Sequence, residues 1–81
     1  MDIVAINKEL DSILLGEVKW SEKKVGIDIY ERLKQKAGKV KWGSKARKEF
    51  FCLFSKKGFT DAMLKKAEDE GVLLFRENRL L

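Results

Sequence analysis

One segment limits the fold more than any other. Residues 12–20, Ser-Ile-Leu-Leu-Gly-Glu-Val-Lys-Trp, carry apolar side chains at odd and even positions alike. Side chains of a strand alternate between two faces, so a run of this kind reads as a strand buried on both sides within a covered sheet. The chain has 81 residues, enough for one domain spanning 1–81. A domain of that size buries only about 60% of its unfolded surface, so its core is small. Cys52 is the sole cysteine and there is no histidine. Disulfides, structural zinc and imidazole chemistry are therefore excluded.

The rest of the chain divides around this strand. Residues 2–7 are β-branched and apolar and predict a strand, joined to 12–20 by a polar turn at 8–11. Ser21 is the expected cap of a helix reaching Ala37, with Val25, Ile29, Leu33 and Ala37 at four-residue spacing. Gly38 fits a left-handed position after its last turn. The aromatic-rich run Glu49–Ser55 predicts a third strand, apolar on both sides. Thr60 caps a second helix to Glu70, Gly71 ends it, and Val72–Phe75 is a last strand before a tail at 76–81. The order β-β-α-β-α-β, with two helical crossovers, gives an α/β class with a mixed β-sheet covered by helices.

The hairpin brings unusual residues together. A turn centred between Glu9 and Leu10 pairs positions whose numbers sum to 19. Asp2 then faces Glu17, with Cβ atoms about 5 Å apart. Lys19, two residues on, projects from the same face. Two facing acids repel unless a cation sits between them. Hard carboxylate oxygens suit Mg²⁺ or Mn²⁺, which polarises a phosphate and acidifies a bound water, while a lysine steadies developing charge. The other reading is a plain surface strand with Glu and Lys facing solvent. Asp11 is a rival acid, but an aspartate in a turn caps the backbone. Gly16 admits close approach to the strand.

At these residues the chain resembles the restriction-endonuclease-like superfamily, whose motif is written PD-(D/E)xK. Asp2 matches the first acid and Glu17-Val18-Lys19 matches the (D/E)xK part. The whole chain is similar to a C-terminal domain of uncharacterised function found in archaeal-type P-loop ATPases. Asp2-Ile-Val-Ala-Ile, Leu15-Gly-Glu-Val-Lys-Trp20 and Leu53-Phe-Ser-Lys-Lys-Gly-Phe-Thr60 carry this likeness. The resemblance implies a nuclease-like domain with Asp2, Glu17 and Lys19 catalytic. It also implies Mg²⁺ or Mn²⁺ held by Asp2, Glu17 and the Val18 backbone carbonyl. Met1 stands where the motif has proline, and the superfamily's opening helix and strand are missing, which predicts a truncated restriction-endonuclease-like core. There is no phosphate loop of the Gly-x-x-x-x-Gly-Lys type, so ATPase chemistry would belong to a partner domain.

Between residues 34 and 48 stand Lys34, Lys36, Lys39, Lys41, Lys45, Arg47 and Lys48, with Trp42 among them and no acid. Net charge is +5. This is the expected nucleic-acid surface, with DNA the expected partner and Trp42 able to stack on a base. A solvated basic loop is the alternative. The longest apolar run is four residues and no signal peptide is visible, which predicts a cytoplasmic protein without membrane contact. The strand at 2–7 is expected at a sheet edge, exposing Ile3–Ile6 and favouring a homodimer. Three functions remain open: a metal-dependent nuclease-like domain, a non-catalytic DNA-binding or docking module on the same fold, and a small regulatory interaction protein.

Overall fold

The structure is a computed structural model describing residues 1–81. Its elements are β1 (Ile3–Asn7), β2 (Ser12–Lys19), α1 (Ile27–Ala37), β3 (Lys48–Ser55), α2 (Asp61–Glu70), β4 (Leu73–Arg76) and β5 (Arg79–Leu80). They form a mixed five-stranded sheet in sequence order. Parallel pairs join β2 to β3 and β3 to β4, and antiparallel pairs stand at both edges. The expected element order therefore holds, with β5 added where a plain tail was expected. Glu77, with φ of 56°, turns the chain back after β4.

The hairpin register is the one the turn dictates. Ile3 pairs with Gly16, Ala5 with Leu14 and Asn7 with Ser12. The Asn7 side chain accepts from the Leu10 N–H at 3.1 Å and sets the turn.

Both crossovers step the same way across the sheet, and right-handed crossovers then put both helices on one face. The core forms there, from Ile13 and Leu15 of β2, Leu53 of β3 and Leu74 of β4 beneath Tyr30, Leu33, Met63 and Ala67. The opposite face is open, contrary to the reading of β2 and β3 as buried on both sides. Phe50 is 51% exposed and Val18 39%. Strand periodicity reports that both faces are apolar, not how many layers the chain can lay over them.

Two local expectations also fail. Ser21 does not cap α1. Its hydroxyl accepts from the nearby Lys23 N–H at 3.4 Å, and Val25 bridges to Phe59 in parallel fashion. The Val25 N–H donates to the Gly58 carbonyl at 2.9 Å and its carbonyl accepts from Thr60 at 3.0 Å, so the helix starts only after Gly26. Gly38 is right-handed, with φ of −62°. In α2, Thr60 caps as expected, its hydroxyl accepting from the Met63 N–H, and Gly71 takes the left-handed end position. Ser55, fully buried, donates to the Gly58 carbonyl at 2.8 Å and accepts from its N–H at 3.0 Å. The Leu53–Thr60 stretch is thus the end of β3 followed by a tight turn that seats α2. No helix is long and apolar enough to cross a membrane.

Candidate functional site

At the end of the hairpin the ladder departs from its register. The Asp2 N–H donates to the Gly16 carbonyl at 3.1 Å. The Asp2 carboxylate accepts from the Val18 N–H at 2.9 Å, a donor that a strict register would give to the Met1 carbonyl. Asp2 therefore acts at the β2 edge as a substitute backbone acceptor. That bond, then the nearby Glu17 carboxyl, the N-terminal ammonium and Lys19, hold the exposed Asp2 below the usual carboxylate range.

Glu17 lies on the helix-covered face and is 6% exposed. A carboxylate so buried needs partners. Its Oε1 accepts from Lys36 Nζ at 2.9 Å and lies 3.8 Å from the N-terminal ammonium. Lys19 is half-buried and lines a small recess with Glu17, Ile29, Arg32 and Lys36. The fold thus brings Asp2, Glu17 and Lys19 to one corner and adds Lys36, which sequence reading assigned to DNA. The signal for Lys36 was a buried acid on a strand that α1 crosses, where a cation on that helix is required.

The donor set fits a hard cation in part. The Asp2 and Glu17 carboxyls lie close enough to act on each other, and Mg²⁺ is commonly held by one or two carboxylates together with waters and phosphate oxygens. N–H and C=O of one strand residue point to the same edge, so the Val18 carbonyl faces the Asp2 side. No third acid, cysteine or histidine joins the pair. Lys36 and the N-terminal ammonium neutralise Glu17, so a divalent ion would have to displace them.

The basic segment divides into committed and free side chains. Arg47 is committed: its guanidinium donates to the carbonyls of Ala37, Val40 and Trp42 at 2.6–2.9 Å and pairs with Glu49 at 2.8 Å. It staples the α1–β3 loop. Asp11 helps from the hairpin, accepting from the Ser44 backbone N–H at 3.1 Å and from the Ser44 hydroxyl. Those two bonds, the hydroxyl's first, lower its pKa. The rival acid is a loop brace. Lys34 pairs with Glu31 and Glu70 and lies 4.7 Å above the Tyr30 ring. Trp42 packs partly buried against the core. Lys39, Lys41, Lys45 and Lys48 are exposed and form no salt bridge. Lys41 and Lys45 edge an open groove of about 590 Å³ with Trp42 and Gly43.

Strand pairing sets the distance between the two regions. Lys48 pairs with Ser12 and Ser55 with Lys19, so the loop and Lys19 lie at opposite ends of β2, roughly 23 Å apart. No protein-family model matches the sequence, and neither a curated protein nor a solved structure matches it.

Proposed function

We propose that the chain is a nuclease-like, nucleic-acid-binding domain related to the restriction-endonuclease-like superfamily and to the tail domains of archaeal-type P-loop ATPases. In this reading Asp2, Glu17 and the Val18 carbonyl hold Mg²⁺ or Mn²⁺, and Lys19 meets the phosphate. Lys39, Lys41, Lys45 and Lys48 grip the DNA backbone. The observation that carries the reading is the corner itself: two carboxylates and a lysine gathered on a strand end, where packing alone has no need of them. The bound ion would polarise a phosphodiester. The chain's own residues orient the substrate and stabilise charge.

A second reading, a non-catalytic module for DNA binding or for docking on a P-loop ATPase domain, draws support from Lys36. Its 2.9 Å ion pair leaves Glu17 neutralised without any metal. Two measurements separate these readings. Nicking of plasmid DNA with Mn²⁺ should disappear in Glu17→Gln while DNA binding persists. A wild-type chain that binds DNA but neither nicks it nor binds Mn²⁺ assigns the non-catalytic module. Neutralising Lys39, Lys41 and Lys45 together should weaken binding for every DNA sequence and flatten the salt slope by about 3. Neutralising Arg47 should unfold the loop instead. Unchanged affinity in the triple variant removes DNA as the ligand of this loop.

A further inference from the structure

The open face of the sheet is apolar from edge to edge. Register places Ile3 and Ala5 of β1, Leu14 and Val18 of β2, Phe50 and Phe54 of β3, Leu73 and Phe75 of β4 and Leu80 of β5 on it. Phe54 and Phe75 stack face to face at 4.4 Å, almost parallel, and make a flat centre. Lys48, at one corner, is the only formally charged strand residue on this side. We propose that this face is where a second copy of the chain docks, sheet against sheet.

Three arguments select that occupant. The strands β2, β3 and β4 run parallel, and parallel sheets are covered on both faces, yet both helices of this chain lie on the other side. Apart from Lys48 at its corner, the face has no cation for a polyanion, and it has no carboxylate for a basic partner, whereas two copies match each other in chemistry. Both helices lie on the other side of the sheet, so the net charge of +5 opposes the contact weakly at physiological salt. Finally, five strands about 4.8 Å apart and mostly 4–8 residues long give a face of roughly 450 Å². With side-chain relief a pair buries on the order of 1,000 Å², the lower end for a specific interface. Two sheets packed about 10 Å apart fit this aligned arrangement. The association is therefore micromolar, strengthened by salt, and distinct from pairing through the edge strand β1.

Sedimentation of the full chain across about 1–100 µM tests this. The expected mass rises to twice 9.4 kDa. The double variant Phe50→Ser/Leu73→Lys should weaken association at least about 100-fold, since a two-fold axis counts each change twice. Val4→Pro, which blocks the free side of β1, should leave it intact. A wild-type monomer at about 100 µM, or a dimer broken by Val4→Pro and not by the face variant, overturns the proposal. If the double variant does not fold, radical footprinting of the wild type decides. Phe50, Leu73 and Leu80 should become protected on concentration while Leu64 on α2 does not. Equal labelling at all concentrations also overturns it.

Discussion

The two faces of this sheet are written in nearly the same alphabet and behave differently. Ile13, Leu15 and Leu53 point to the helices and are at most 1% exposed. Leu14, Phe50 and Phe54 alternate with them on the same strands and meet no helix. The covered face ends in polar chemistry, at Glu17 and at the Tyr30–Glu70 contact between the helices. The open face has no ionic network. Burial here follows from crossover handedness, because both crossovers step in one direction and commit both helices to one side. The ion pairs thereby gather on the helix side and the loop, and the open face is left apolar.

The largest expected effect sharpens that contrast within two adjacent residues. Leu15→Ala should cost about 2–5 kcal/mol of stability, because its side chain is wholly enclosed and the cavity cannot collapse. Leu14→Ala should cost about 1 kcal/mol or less in dilute, monomeric protein. Denaturant titration of both variants measures the difference. Equal losses would mean that the open face is packed in solution even at low concentration.

The sequence allowed the register to be read because the turn is short and Asn7 closes it, so every pair from Asn7–Ser12 to Ile3–Gly16 follows by counting. It also allowed Thr60 and Gly71 to be read, since each acts through its immediate neighbours. Other features depend on contacts distant in sequence. Val25 has helical spacing to Ile29 but is taken by a bridge 34 residues away, at Phe59. Lys36 looks like one more lysine of a basic run until α1 is laid over β2. Arg47 looks like a phosphate ligand until three loop carbonyls converge on it. The corner's acids were readable, and the cations that neutralise them were not.

A smaller effect tests how tightly the open face is built. Gly16 was expected to admit something close to the strand, and that something is Cys52, whose Sγ would stand 2.5 Å from an added Cβ. Gly16→Ala should cost about 1–3 kcal/mol through overpacking. Truncating the neighbour should recover part of this, so the pair Gly16→Ala/Cys52→Ala should be more stable than the sum of the single changes predicts. Thermal melts of the four species close this cycle. Full additivity would show that the sheet opens to accept the methyl without involving Cys52.

The smallest effect lies on the covered side, at the seam of the helices. Glu70 accepts from the Tyr30 hydroxyl at 2.7 Å and pairs with Lys66 and Lys34. Lys66 first, then Tyr30, lower its pKa to about 2 from 4.5. A carboxylate whose pKa falls on folding stabilises the fold above its unfolded pKa, and that contribution is lost as pH drops through the folded value. The loss should therefore spread from about pH 4.5 down to about 2, joined in the same direction by Asp2 and Asp11. Tyr30 behaves oppositely. Burial first, and then the Glu70 contact, raise its pKa, so its contribution holds below about pH 10 and fades as pH rises further. Glu70→Gln should flatten the acid limb of a plot of melting temperature against pH while leaving Asp2 and Asp11 to bend what remains. Tyr30→Phe should remove the alkaline limb and shift the acid limb upward, because Glu70 loses its hydroxyl donor. Acid limbs that superimpose in wild type and Glu70→Gln would show that the seam carries no proton-linked stability, leaving Asp2 at the β2 edge and Asp11 in the hairpin turn as its source.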